Sequence, residues 1–416
     1  MKILSITAQK PHSTGSGTYL TELVRSFDRQ GCRQAVVCGI FRSDCVDFPE
    51  GVKCYPVYFT HRGEAPADGD LPFPVVGMSD IMPYESTLYS DMTPEMIDLF
   101  EDAFVKAVSK AVEELDPDII ICHHLFLLTA IVRKHFPDRV IAGLSHGSDL
   151  RQFMSCSHLQ EMLIPEIAAL DRIFALNGEQ QKRISKLFGV SADRITIIGS
   201  GYNDRLFNAD ARHPRTDIEQ LASPMMMPVI ICYAGKMSLA KGIPEFLHVL
   251  KRLTDDPEVP EIEVSLAGGC HEPAVMEELE KRPENVHWLG QIAQDRLADI
   301  FRCSDIFVLP SYYEGLPLVL IEAMASGMVP VSTDLPGVQP WVNENVPDNN
   351  IVFVPMPEMA SIDEPTEKGK AEFEEDLYNA LKNLVIRIKS GELPSHLPDT
   401  SSITWDGVAS RILSKI

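Results

Sequence analysis

Short apolar runs rich in β-branched residues alternate along this chain with longer stretches whose apolar positions recur every three or four residues. KILSITA (2–8) predicts a strand, the Gly/Ser stretch after it a loop, and the residues from about Gly17 to Arg29 a helix. Further strands are predicted at 34–40, 53–59, 118–124, 139–146 and 172–176. From Thr93 to Leu115 the residues Ile97, Phe100, Phe104, Val108, Ala111, Val112 and Leu115 form one stripe, with Pro94 suited to a first helical turn. A second series of strands follows at 228–235, 261–268, 285–290, 305–311 and 329–333, again with helical stretches between. Apolar strands alternating with helices predict parallel sheets covered on both faces.

The segment 60–91 is rich in Pro, Gly and Asp and without period, which predicts a long functional loop or insertion. The stretch 208–226 reads as a loop-like connection, so the chain divides into two α/β blocks. We place an N-terminal domain at 1–205 and a C-terminal one at 206–401, with a last helix over about 402–416 returning to the first. A segment mixing Pro and charge (355–376) reads as surface loop leading into a helix.

Length supports the division, since 416 residues exceed what one core usually organises. The chain is 45% apolar and 23% charged, with a mean hydropathy of −0.02, which fits a soluble globular protein. A formal net charge of −23 argues against nucleic-acid binding, which needs a basic face. It also disfavours a broad basic surface for membrane docking. Nine scattered cysteines without a C-x-x-C pair predict reduced thiols. With no apolar stretch long enough for a signal peptide or a membrane span, a cytoplasmic location is expected, peripheral attachment at the inner membrane face being left open.

Candidate chemistry concentrates in SYYEGLPLVLIEAMASGMVPV (311–331), where Glu314 and Glu322 stand eight positions apart in an apolar run. The run parses as strand end, turn and buried helix, with Pro317 in the first helical turn and Gly327 at the helix end. Glu322 then needs a partner, because a buried unpaired carboxylate is strongly destabilising. Glu314 falls at the carboxyl end of a parallel strand, where open α/β sheets bind ligands. The backbone N–H groups of Gly315, Leu316 and Leu318 make the helix start favourable for an anion. Two carboxylates beside an anion site suit a ligand carrying both hydroxyls and phosphate. From spacing alone, a structural ion pair for Glu322 and a plain turn role for Glu314 stand equally open. Lys236 and Lys241, in a loop between a strand and a helix, could neutralise a diphosphate, or could be solvated surface lysines.

The stretch 314–337 with its E-x7-E pair resembles the signature of family 4 of the retaining GT-B glycosyltransferases, the glycosyl transferases group 1. So do the GK-x4-KG loop (235–242), VHWLGQI (286–292) and ADIFRCSDIFVLPS before it, and the passage 174–207. The C-terminal half matches nearly end to end. The N-terminal half matches at its glycine loop, at HH (123–124) and at HGSD (146–149). The resemblance implies a GT-B fold, two Rossmann-like α/β/α domains facing a central cleft. It implies that Glu322 holds the ribose of a nucleotide and that Glu314, with the N–H groups of Gly315, Leu316 and Leu318, meets hydroxyls of the donor sugar. Lys236 and Lys241 would grip the diphosphate. An arginine commonly stands where Lys236 does, and lysine keeps the charge without the bidentate fork. Gln291 and Ile292 would lie against the base.

Gly15 and Gly17 sit between the first strand and its helix, where glycine lets the backbone approach a phosphate. A dinucleotide fingerprint would need a third glycine where Leu20 stands. In the family this loop closes over the donor phosphate, and a histidine matching His146 is directed at the donor sugar. His123 and His124 are expected to pack behind the site. The implied reaction moves a sugar from a UDP-, GDP- or ADP-linked donor to an acceptor hydroxyl, with retention and without a metal or other cofactor. The acceptor would be a glycan or small molecule, lipid-linked or not. A nucleotide-sugar epimerase or hydrolase and a non-catalytic sugar-nucleotide-binding subunit are the competing readings.

Overall fold

The computed structural model describes residues 1–210, 227–392 and 397–416. Most of the loop-like connection expected at 208–226 therefore lies outside the described residues. The chain forms two compact units, the first made of Met1–Gly201 with Trp405–Ile416 and the second of Tyr202–Thr404.

In the first unit the chain runs through β1 (Lys2–Thr7), α1 (Gly15–Arg29), β2 (Arg33–Phe41) and β3 (Lys53–Phe59), then the short pair β4 (Val76–Gly77) and β5 (Thr87–Leu88). It continues through α2 (Pro94–Leu115), β6 (Ile119–His123), α3 (Leu127–His135), β7 (Ile141–Leu144), α4 (Ser148–Ser155) and α5 (Ser157–Ala168). It closes with β8 (Arg172–Ala175), α6 (Gly178–Phe188) and β9 (Ile195–Ile197). The sheet order is β3-β2-β1-β6-β7-β8-β9, parallel throughout. Ile3, Leu4 and Ile6 of β1 are fully buried, as a central strand covered on both faces requires.

The stripe of α2 is buried through Phe100, Phe104, Val108 and Ala111, and the Thr93 hydroxyl caps the helix by accepting from the Met96 N–H. Each large side chain of that stripe contributes about 1.5–3 kcal/mol by leaving water. Segment 60–91, expected as a long functional loop or insertion, is anchored in the core. Leu71, Phe73, Val75, Val76, Met78 and Tyr89 all enter the main core of this unit. Their apolar pieces are too short, between Pro, Gly and Asp, to show a period.

The second unit runs through β10 (Val229–Ala234), α7 (Ile243–Asp255), β11 (Ile262–Ala267), α8 (Pro273–Glu280), β12 (Val286–Gly290) and α9 (Gln294–Cys303). It goes on through β13 (Ile306–Leu309), α10 (Leu318–Ala325), β14 (Val329–Thr333), α11 (Val338–Asn345), β15 (Val352–Val354) and α12 (Glu367–Lys389). Its parallel sheet has the order β12-β11-β10-β13-β14-β15, the doubly wound arrangement in which strand order reverses between β10 and β13. The first sheet reverses in the same way between β1 and β6.

The last helix, α13 (Trp405–Leu413), packs in the first unit. Trp405 sets its ring edge-on to Tyr19 of α1 at 4.7 Å between centroids, and Asp406 accepts from Arg29 at 2.6 Å.

Candidate functional site

In the second unit the candidate residues gather at the reversal point, where ligands bind in open α/β sheets. After β10 the chain passes Gly235 and Lys236, makes one 3-10 turn at Leu239–Lys241, and enters α7 through Gly242 at φ +61°. A Cβ at Gly242 would lie 2.2 Å from the carbonyl oxygen of Pro310, so only glycine allows this approach to the loop after β13. The Tyr312 N–H donates to the Ala240 carbonyl at 3.0 Å and stitches the two loops together.

That stitching brings Lys241 onto Glu314. The lysine Nζ stands 2.6 Å from Glu314 Oε1 and 3.3 Å from the Tyr313 carbonyl, and Ser311 Oγ donates to the same Oε1 at 3.0 Å. Both side chains are about a fifth exposed, at 23% and 20%. The pairing was not legible in the sequence, where the two stand 73 positions apart. Lys236 is half-buried, and its carbonyl accepts from the Tyr233 hydroxyl at 2.8 Å. Burial, with the Glu314 charge adding to it, pushes that phenol well above its ordinary range, so Tyr233 acts as a neutral donor.

Pro317 is the N-cap of α10, one residue outside the helix where a first-turn position was expected. Gly315 and Leu316 belong to the preceding turn, and Leu318 is the first helical residue. No side chain caps this helix start. At the other end Gly327 adopts φ +82°. Its N–H reaches the Met324 carbonyl and the Met328 N–H the Ala323 carbonyl, a Schellman stop. Glu322 lies mid-helix among buried Leu320, Ile321, Ala323 and Met324 and is itself 7% exposed. Exposed Gln291 and half-buried Ile292 follow β12. That strand is two positions from β10 in the sheet, about 10 Å at the usual strand spacing.

In the first unit Gly15 and Gly17, expected between β1 and its helix, both lie inside the helix, which starts two residues before the predicted Gly17. They are the first and third residues of α1, because Thr14 caps the helix and its hydroxyl accepts from the Gly17 N–H at 3.1 Å. A Cβ on Gly17 would meet the Lys10 carbonyl at 2.9 Å, whereas Gly15 faces open space. His146, half-buried after β7, pairs through Nε2 with His123 Nδ1 at 3.0 Å, their rings stacked. His123 thus touches the candidate residue directly, which its sequence position did not reveal. Tyr19 sets its ring edge-on to His146 at 5.0 Å.

Asp149, wholly buried in the first turn of α4, accepts from the His146 and Leu125 N–H groups and from Ser145 Oγ, fixing the backbone on either side of the histidines. Burial holds the carboxyl above its ordinary range. Desolvation lowers all three histidines, His123 and His124 to about 3. They are neutral imidazoles at physiological pH.

Comparisons with known proteins bear on the fold. Over its full length the chain superposes on sucrose-phosphate synthase from Thermosynechococcus elongatus with a TM-score of 0.65 at 16% identity, covering 98% of that chain. Anabaena HepE in complex with UDP and glucose gives 0.61 at 15% identity, with 100% of this chain and 95% of that one covered. The fold is GT-B, built from two Rossmann-like α/β units.

Residues 215–365, all within the second unit, match the family model described as glycosyl transferases group 1. D-inositol 3-phosphate glycosyltransferase of Xylanimonas cellulosilytica is 28% identical over 193 residues, 43% of this chain and 44% of the relative. The chain thus spans less than half the length of this curated relative.

Proposed function

We propose that this chain is a retaining, metal-independent glycosyltransferase that moves a sugar from a nucleoside diphosphate sugar to an acceptor hydroxyl in glycan, polysaccharide or glycoconjugate synthesis. The observation that carries the reading is the juxtaposition of Lys241 and Glu314 at the reversal point of the second sheet, with the buried carboxylate of Glu322 in the helix that follows. Nucleotide sugars suit that set. Glu322 would accept from the two ribose hydroxyls, and Glu314 from hydroxyls of the transferred sugar. Lys241 and Lys236 would meet the diphosphate with the N–H groups at the start of α10, and Gln291 with Ile292 would border the base. That a protein of this fold is held with UDP and glucose supports the donor class.

In the step itself the bond between the anomeric carbon and the diphosphate oxygen breaks. A bond to the acceptor oxygen forms on the same face, and the acceptor proton passes to the departing phosphate oxygen. The chain contributes position and charge. Lys236 and Lys241 stabilise the oxygen as its negative charge grows, and His146, neutral and steadied by His123, offers a hydrogen bond to the sugar. Neither role needs a metal ion.

The test supplies the full chain with UDP-, GDP- and ADP-glucose and a panel of sugar acceptors, and follows nucleoside diphosphate release and the anomeric proton of the product by NMR. Release that depends on acceptor, with an axial anomer retained, is expected. Equal release without acceptor would make the protein a hydrolase, and an equatorial product would overturn retention.

A further inference from the structure

The reversal point of the first sheet holds polar atoms that nothing in the unit satisfies. Gln9 follows β1 and is 1% exposed, and its Nε2 has no hydrogen-bond partner. His124 follows β6, the neighbour of β1, and is 2% exposed with neither ring nitrogen bonded. His124 also holds φ at +74°, a conformation uncommon for a residue with a side chain. Each such orphan is destabilising if nothing ever bonds it. Half-exposed groups stand over them, Ser16 donating to Gln9 Oε1 at 3.3 Å and the His146 ring lying 4.7 Å from that of His124.

The donors and acceptors left over are those of an amide NH₂ and a neutral imidazole, which together give and take hydrogen bonds without charge. Cations on the segments after β1, β2 and β7 are already neutralised: Lys10 by Asp44 at 2.5 Å, Arg42 by Asp70 at 2.7 Å and Arg151 by Asp80 at 3.1 Å. Lys10 is further held between the rings of Phe41 and Tyr84, 5.2 and 5.1 Å from their centroids.

We propose that the reversal point of the first sheet takes a neutral, polyhydroxylated group of the acceptor, bonded by Gln9 and His124, and discriminates against a phosphorylated one. The proposal rests on the transferase reading and adds to it the chemical class of the acceptor. An anion would find neutral donors and no unpaired cation among Lys10, Arg42 and Arg151. A sugar ring offers vicinal hydroxyls that can both donate and accept.

Saturation-transfer NMR on the full chain tests this with methyl α-glucoside and myo-inositol against glucose 6-phosphate and myo-inositol 3-phosphate. Neutral sugars are expected to bind. Gln9→Leu and His124→Asn, the latter chosen because asparagine tolerates positive φ, should each weaken them about fivefold or more. Asp44→Asn, which unpairs Lys10, should gain binding of glucose 6-phosphate. Phosphorylated probes binding tighter than neutral ones, or unchanged binding in both the Gln9 and His124 variants, would overturn the proposal. Calorimetric titration with UDP separates the two readings. Absence of UDP binding in the wild type defeats the donor assignment whatever the sugars do, while UDP binding with no sugar response defeats only the acceptor proposal.

Discussion

The ammonium of Lys241 rests 2.6 Å from the carboxylate of Glu314, so two side chains that resemblance assigns to different parts of one substrate are bonded to each other. Each sets the other's position, and Ser311 braces the carboxylate from a third direction. Lys241→Ala is expected to lower turnover by about tenfold or more, the scale of a lost charge-stabilising contact. Glu314→Gln should also impair turnover. The double variant should fall short of the product of the two, with a coupling of about 1 kcal/mol in a double-mutant cycle. Strictly additive losses would mean that the two act independently.

Glu322→Gln is expected to weaken UDP binding by about tenfold or more, the equivalent of one or two charge-assisted hydrogen bonds. Calorimetry reads the affinity, and a parallel urea titration reads stability. A variant that loses stability but keeps its UDP affinity would assign the carboxylate to the helix interior alone.

Gly15→Ala and Gly17→Ala should separate cleanly. A methyl group on Gly17 meets the Lys10 carbonyl at 2.9 Å and the His12 nitrogen at 3.1 Å, so overpacking should cost about 1–3 kcal/mol in denaturant melts. At Gly15 the methyl enters open space, and stability should change by less than about 0.5 kcal/mol. Any loss of activity in Gly15→Ala then reports on substrate. Equal destabilisation of the two would contradict the local geometry.

Acid should weaken the first unit. His123 and His124 are lowered to about 3 in the folded chain, and burial also lowers His146. Unfolding returns each to about 6.5, so between pH 6.5 and 3 the unfolded chain binds more protons. Stability then falls as pH falls through that window, by up to about 1.4 kcal/mol per pH unit for each histidine, and is level above about pH 7. Asp149, whose carboxyl is raised by burial, works in the opposite sense as one group against three. Urea midpoints at pH 5.5 and 7.5 should differ more in the wild type than in His123→Asn, and identical differences would remove the histidines from the explanation.

A chelator should leave sugar transfer intact. Assays in EDTA, compared with assays in added Mg²⁺ or Mn²⁺, decide this, and a strict requirement for either ion would refute the proposed metal-free step.

Much of the architecture was legible because its signals are local. The stripe from Ile97 to Leu115 is periodic over about five turns, and the strands at 228–235 and 305–311 are apolar runs next to Pro or Gly. Glu314 and Glu322 stood out because carboxylates in an apolar run demand a reason. Signals that depend on tertiary contact were silent: the Lys241 partner, the His123–His146 pair, and the orphaned Gln9 amide. Short strands such as β9 and β15, three residues each, fall below any readable period. Gly15 misled because glycine suggests a loop, while Thr14 just before it carries the stronger instruction to start a helix.

The chain leaves its first unit at Gly201 and re-enters it at Trp405, and the residues just inside those exits, Tyr202 and Thr404, form a β-bridge. The entire second unit is therefore a cassette whose two ends are neighbours. Tyr202–Thr404 could be expressed alone or joined end to end by a few residues, and a first unit spliced from Gly201 to Trp405 would keep the ring contact of Trp405 with Tyr19. Swapping such cassettes between relatives would test whether the second unit alone selects the proposed donor, with the first unit left untouched.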